Sequence, residues 1–286
     1  MNTLCYGEIL WDIIDQKKCL GGAPFNVACH LSRMGCNSYI LSALGSDDLG
    51  TSALSKIKYE KVHTDFLKIH DNFPTGTATV FLSNGIPDYE FNFPNAWDNI
   101  ELTDSQIKTI LNTQWDIFCF GTLAQRSQTS RKTLSSILPF IKAECRFYDV
   151  NFRKEFYSKD ILEFCLKFTD VLKLNDEELP VFAELFNLSK ADSQSGIDEL
   201  CFNICRIFNL KGLILTCGKN GSYAYFDGIK NSCYPAKVKV VDTVGAGDSL
   251  SAAFLFNYVR TNNPSTALKE GSRLADIVVQ HAGALP

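Results

Sequence analysis

The heptapeptide Asp242-Thr243-Val244-Gly245-Ala246-Gly247-Asp248 runs directly into an apolar stretch, Leu250 to Tyr258. These types and spacings predict a glycine-rich turn that opens a helix, with a carboxylate in the first helical turn. Gly245 and Gly247 allow a tight turn whose bare backbone can approach a ligand. The first N–H groups of a helix have no internal partner, and the positive end of the helix dipole adds to them. Such a turn attracts a phosphate or a developing negative charge. Asp248 then stands where an acceptor hydroxyl would release its proton, and the chemistry implied is phosphoryl transfer to an alcohol. A plainer reading competes, because Gly-x-Gly-Asp also begins many helices simply through the capping strength of Asp.

The elements that must position this turn follow from hydrophobic patterning. Asn2–Tyr6, Ser38–Ala43, Asp116–Phe120, Arg146–Val150, Val171–Leu174 and Leu213–Thr216 read as short strands. Phe25–Met34, Asp104–Leu111, Arg131–Ile141, Lys159–Phe168, Asp176–Phe186, Ile197–Phe208 and Ser265–Gln280 carry helical spacing. Alternation of this kind predicts a mostly parallel sheet covered by helices on both faces. Two pieces break the rhythm. Leu10–Leu20 is extended, and Thr75–Trp97 holds runs at Thr77–Leu82 and Tyr89–Phe93 around Ser83-Asn84-Gly85, which reads as a hairpin. Such insertions often form a lid over a site. One domain over residues 1–286 is expected, with lid segments near 10–20 and 75–97.

Ligands of open parallel sheets bind beyond the carboxyl ends of the strands. Asn151 and Arg153, Asn175 and Glu178, and Thr216, Gly218 and Gly221 each follow a strand end. Singly, each has a plain alternative: Asn175 can cap a helix, Glu178 can be a first-turn acid, and Gly218 to Gly221 can be a hairpin turn. Their gathering at one sheet edge, together with the Gly245 turn, favours a common site.

Composition sets limits. The chain of 286 residues is 45% hydrophobic and 21% charged, enough for a full core. A net charge of −4 argues against a nucleic-acid surface, which needs a basic patch. The 11 cysteines are scattered and mostly sit in apolar runs, as reduced buried thiols of a cytoplasmic protein would. Cys201 and Cys205 have no nearby Cys or His to complete a metal set, and the four histidines show no ligand spacing. Glu8 and Asp12 interrupt the opening apolar residues, so no signal peptide is read, and no run approaches a membrane span. The P-loop pattern, the protein-kinase signatures and an early Gly-x-Gly-x-x-Gly are all missing.

The chain resembles the PfkB, or ribokinase-like, carbohydrate kinases. The resemblance rests on Gly21-Gly22-Ala23-Pro24-Phe25-Asn26-Val27-Ala28, continued by Gly35 and Gly45, and on Asp242 to Asp248 followed by Ala252-Ala253-Phe254. Gly7-Glu8 with Asp12, Gly45-x-Asp47-x-x-Gly50, Asp149-x-Asn151-x-Arg153, Asn175-x-x-Glu178 and Thr216-x-Gly218-x-x-Gly221 extend it over nearly the whole length. It implies a three-layer α/β/α fold with a central, mostly parallel sheet and a small β lid. It also implies ATP as phosphoryl donor, Mg²⁺, a monovalent cation such as K⁺, a small sugar as acceptor, and homodimer pairing through the lid.

Carried over by position, Asp248 resembles the general base, and the amides of Gly245, Ala246 and Gly247 the anion hole. Asp12, Gly22 and Asn26 resemble sugar contacts, with Phe91, Phe93, Asn95 and Ala96 of the lid completing the pocket. Glu178, with Asn175, resembles the element that organises Mg²⁺ through water. Thr216, Gly218 and Gly221, joined by Thr243, resemble ATP contacts, and Ala275, Val279, Ala282 and Gly283 should border the adenine. Arg153 is open between sugar and phosphates. Asp248 is expected to be ionised throughout, since a free Asp titrates near about 3.9 and a helix N-terminus favours the anion. The Gly-Gly-Ala-Pro-Phe-Asn form, the Gly7 to Asp12 opening and Pro74-Thr75-Gly76-Thr77-Ala78 look most like bacterial fructokinases. Kinases of 2-keto-3-deoxygluconate, ribose or nucleosides are the alternatives. A sugar sensor without turnover, or a nucleotide-dependent oxidoreductase, is a more distant one.

Overall fold

The computed structural model describes residues 1–14, 17–83, 86–189, 191 and 193–286, with side chains described outside 14, 17 and 80–89. In chain order the strands are β1 (Asn2–Tyr6), β2 (Leu10–Ile14), β3 (Lys17–Gly21), β4 (Asn37–Gly45), β5 (His63–His70), β6 (Gly76–Ser83), β7 (Ile86–Phe91), β8 (Gln114–Gly121), β9 (Lys142–Asp149), β10 (Val171–Asn175), β11 (Gly212–Thr216), β12 (Ser222–Phe226) and β13 (Ile229–Cys233). The helices are α1 (Ala23–Arg33), α2 (Asp48–Tyr59), α3 (Asp104–Asn112), α4 (Gln128–Ile137), α5 (Lys159–Leu166), α6 (Glu178–Leu185), α7 (Gln194–Ile207), α8 (Ala246–Thr261) and α9 (Pro264–Val278).

Nine strands form the main sheet in the order β13-β12-β11-β10-β9-β8-β1-β4-β5. The run from β11 to β5 is parallel, and β12 and β13 add on antiparallel. Strands buried on both faces must be apolar throughout, which explains Ile117-Phe118-Cys119-Phe120 in β8. Alternate side chains serve opposite layers. Leu4 and Tyr6 of β1 join one core with Ile110, Leu134, Leu162, Phe182 and Ile204, from α3 to α7. Cys5 joins the other, with Phe25, Ala53, Phe254 and Leu268 from α1, α2, α8 and α9. The two cores make the three layers, and each buried Leu or Phe contributes about 1.5–3 kcal/mol.

A second sheet, β3-β2-β6-β7, is built from two insertions: β2 and β3 between β1 and α1, and β6 and β7 between β5 and α3. The expected lid segments are thus strands of one small sheet. The second run is Ile86–Phe91 rather than Tyr89–Phe93, and Asn84-Gly85 of the expected turn lie outside the described residues. Asp47 roots this lid. Its carboxylate accepts from Gly50 N (2.7 Å) at the start of α2, and from Thr75 N (2.8 Å) and Thr75 Oγ1 (2.7 Å) just before β6.

α2, β5 and the antiparallel pair β12 and β13 are not among the elements read from the sequence. α2 buries only Gly50, Ala53 and Ile57, and β5 is an edge strand with Phe66 as its buried residue, so neither carries a strong period. All the cysteines are free, and among the described residues no helix is long and apolar enough to cross a membrane.

Candidate active site

Strand order reverses about β1, with β4 on one side and β8 on the other. A cleft of about 340 Å³ opens beyond the carboxyl ends at this switch point, where α/β sheets bind ligands. Four strands deliver polar groups to it: Glu8 follows β1, Asn151 and Arg153 follow β9, Lys173 and Asn175 belong to β10, and Thr216 to β11. The lid adds Leu10, Asp12 and Phe91.

Two helix starts face the cleft. α1 begins at Gly22, whose φ of 112° and contact with Glu8 leave no room for a side chain: a Cβ there would lie 2.3 Å from Glu8 O. One turn on, Asn26 is buried and donates Nδ2–H to Asp248 Oδ2 at 2.7 Å. α8 begins at Gly245, left-handed at φ 76° and ψ 0°, where a Cβ would lie 2.3 Å from that of Ala284. Ala246 N donates to Thr243 O (3.2 Å) and Ser249 N to Gly245 O (2.9 Å). Among the described residues no carbonyl accepts from the Gly247 or Asp248 amide. Among the described residues the amides of Gly245, Gly247 and Asp248 are thus the ones at the start of α8 that no carbonyl engages. Ala246, expected among the anion-hole donors, spends its amide closing the turn.

A cation stands beside this turn. Lys173 Nζ lies 3.6 Å from where a Gly247 Cβ would be, and it donates to both Asp149 oxygens at 2.9 and 2.8 Å. Both side chains are almost fully buried. Burial alone would lower Lys173, but the Asp149 carboxylate, with Glu178 behind it, raises it above the ordinary lysine value.

The cleft gathers Asp12, Gly22, Asn26, Phe91, Arg153, Asn175, Thr216, Thr243, Gly245, Gly247 and Asp248 from the sequence-derived set. It does not gather the rest of the lid residues. Phe93 is largely exposed and lies over Arg126, while Asn95 and Ala96 are fully buried at the start of a short 3₁₀ turn. Glu178 is buried below the cleft. Its Oε1 accepts from Phe152 N and its Oε2 from Asn175 N, each at 2.9 Å, so it ties the loop after β9 to the end of β10. Asn175 Oδ1 in turn accepts from Glu177 N (2.9 Å) and Glu178 N (2.7 Å). Gly218 and Gly221 form the tight turn from β11 to antiparallel β12. Ala275 and Val279 lie at the end of α9, and Ala282 and Gly283 in the segment after it. Val279 O accepts from Val241 N (2.8 Å), and Asp242 Oδ2 accepts from Gly283 N (2.9 Å), so this segment runs beside the 242–248 turn.

A family model described as pfkB family carbohydrate kinase matches residues 4–286. The chain belongs to the pfkB family of carbohydrate kinases. A fructokinase from Klebsiella pneumoniae is 29% identical over 280 residues, covering 94% of this chain and 85% of that one. A solved fructokinase of Vibrio cholerae O395, with fructose, ADP and calcium ion bound, superposes with a TM-score of 0.83 at 20% identity, over 99% of this chain and 94% of that one. A 2-dehydro-3-deoxygluconokinase from Thermotoga maritima gives 0.85 at 18% identity, over 100% and 96%. These structures show the ribokinase-like fold, with its large mostly parallel sheet and small lid.

In this pfkB kinase the cleft is rich in carboxylates, and burial governs them. It pushes Asp248 up to about 6, against the lowering effect of the Asn26 hydrogen bond. The expectation of an ordinary, always ionised Asp is thereby corrected: removal from water outweighs the helix N-terminus. Burial likewise raises Asp12 to about 6 and Glu8 to about 7, with Arg153 opposing it at both. The sequence assigns no role to Glu8, Asp149 or Lys173. For Lys173 a signal existed: a lone cation inside Val171-Leu172-Lys173-Leu174 has to find a buried partner.

Proposed function

We propose that this kinase transfers the γ-phosphoryl group of ATP to a hydroxyl of D-fructose, giving fructose 6-phosphate and ADP. The observation that carries this reading is the placement of Asp248, held by Asn26, at the amide-lined start of α8 and within one cleft with Asp12 and Arg153. The acceptor oxygen forms its bond to the γ-phosphorus as the bond to the β–γ bridging oxygen breaks. The bridging oxygen keeps the electron pair and leaves on ADP. The hydroxyl proton passes to Oδ1 of Asp248, since Oδ2 is engaged by Asn26. Negative charge on the transferring group meets the α8 N-terminus and the Lys173 ammonium, which are in place beforehand and need little reorganisation. Arg153 is assigned to the sugar side, beside Asp12 in the cleft, although its charge acts on Glu178 as well as on Glu8, Asp12 and Asp248.

Mg²⁺ would supply charge neutralisation on the phosphates. Each Glu178 oxygen already accepts one backbone amide, so the fit is to a water shell held by Glu178 and Asn175 rather than to direct carboxylate ligation. The free edges of β3 and β7 suit lid pairing between two copies, which would protect them. A second acceptor is favoured by one feature. A guanidinium in the cleft can fork a substrate carboxylate, which suits 2-keto-3-deoxygluconate. Coupled ADP release with fructose, 2-keto-3-deoxygluconate, ribose, glucose and adenosine tests both. Fructose should give the highest kcat/KM, and ADP release indifferent to every acceptor would refute sugar phosphorylation.

A further inference from the structure

Arg126 lies outside the cleft, and nothing in the phosphoryl-transfer chemistry requires it. Its surroundings are unusual for a charged side chain. It ends the 3₁₀ turn Leu123–Arg126 after β8, and its side chain is only 3% exposed. Nε donates to Asp98 Oδ1 at 2.7 Å and Nη2 to Asp98 Oδ2 at 2.8 Å, a forked pair with a carboxylate only 1% exposed. Nη2 also donates to Asn92 O at 2.7 Å. Four aromatic rings surround the guanidinium carbon: Trp97 at 4.1 Å, Phe156 at 4.8 Å, Phe93 at 5.3 Å and Phe91 at 5.9 Å.

These partners come from two separate pieces of chain. Phe91 to Asp98 is the segment by which the lid returns to the body. Phe156 belongs to the loop after β9 and is joined back to Arg153 through Phe156 N and Arg153 O (3.1 Å). Phe91, Leu123 and Arg153 line the cleft, so each piece that Arg126 holds also contributes to the cleft wall. The lid residues read from sequence as sugar contacts acquire a different task. Phe93 covers the guanidinium, and Asn95 braces the segment through Nδ2 to Asn92 O (2.8 Å) and its own N to Asp98 Oδ2 (3.1 Å).

We propose that Arg126 is a positioning residue for the acceptor: one guanidinium fixes the lid-return segment, residues 91–98, and the 152–156 loop together as the sugar-side wall of the cleft. A planar, permanently charged group is needed because it must fork a carboxylate and lie against aromatic faces at once. Lysine offers neither a fork nor a plane. The proposal rests on reading the cleft as that of a sugar kinase, and a misplacement of about 1 Å in such a wall can cost about 10²-fold in rate.

The test is Arg126→Lys, with Asp98→Asn as the second variant, compared by steady-state kinetics and hydrogen–deuterium exchange. The expected result is a rise of about tenfold or more in sugar KM with ATP KM within about twofold of wild type, and faster exchange confined to residues 86–98 and 152–156. Should Arg126→Lys fail to fold, Asp98→Asn carries the same expectation. Lower melting temperature with both KM values unchanged would overturn the proposal and leave Arg126 a core ion pair. If the wild type phosphorylates no sugar, the sugar-kinase reading fails. The exchange arm still decides the anchor: local loosening supports it, and unchanged or uniform exchange overturns it.

Discussion

Replacing Asn26 by Ala removes the one side-chain donor to Asp248 among the described residues, the 2.7 Å bond from Nδ2 to Oδ2. In the intact site burial lifts Asp248 to about 6, while this bond pulls it down. A hydrogen bond to a charged group contributes about 1.5–3 kcal/mol, which at about 1.36 kcal/mol per pH unit equals about one to two pH units. The acidic limb of kcat/KM for the sugar should therefore lie near 6 in the wild type and higher by that amount in the variant. Near pH 7 the wild-type base is about nine-tenths ionised, so the variant should lose between about twofold and about fifteenfold there through protonation. That part of the loss should vanish towards about pH 9. The assay is initial-rate ADP release from about pH 5 to about pH 9, at low sugar and saturating ATP. Glu8 and Asp12 share the cleft, so the limb belongs to the cluster, and Asp248→Asn must abolish it for the assignment to stand. A loss equal at all pH values, or an unmoved limb, would refute the claim that Asn26 tunes the base.

Asp248→Asn should lower kcat by about 10²–10⁴ with ATP KM little changed, and a variant keeping most of its turnover would reject Asp248 as the base. Glu8→Gln tests the buried carboxylate through stability. A carboxyl raised from 4.5 to about 7 on folding contributes stability that is present below about 4.5 and lost as pH rises through about 7. Urea unfolding should thus show the variant equal to wild type near about pH 4 and more stable above about pH 7 by up to about 3 kcal/mol; a pH-independent difference would contradict it. Lys173→Met strands Asp149 in the interior and should cost about 3–5 kcal/mol, measured by chemical denaturation. Adding Asp149→Asn should recover part of that stability without restoring turnover, and recovery of both would remove Lys173 from the phosphoryl site.

Much of the site was legible because it lies at strand and helix termini, where residue type is tightly constrained. Gly245 must be left-handed and must clear Ala284, and Gly22 must clear Glu8 O, so both stand out in the sequence as glycines. Arg153 and Asn175, read from their places after strands, and Asp12 and Asn26, read from the family resemblance, all line the cleft. Phe93 and Asn95 do not: Phe93 lies over Arg126, and Asn95 bonds Asn92 and Asp98, which Arg126 also holds, while the position of Arg126 after β8 says nothing by itself about the lid. The hydrogen-bond partners of Lys173 and Glu178 were hard to read for a related reason. These partners, Asp149 and the amides of Phe152 and Asn175, come together only when β9 and β10 pair.

The order of strands and helices, the lid insertions and the glycine turn before Asp248 were determined locally, by apolar period and by the few residues that tolerate such backbone. Proton affinity and charge pairing were decided by tertiary structure. A carboxylate's proton affinity depends on the water it loses and the charges it meets, and for Asp248 these come from residues as distant in sequence as Asn26, Asp149 and Lys173. Short-range pattern encodes where the chain turns; the dielectric and the neighbours at that turn exist only once the layers have closed around it.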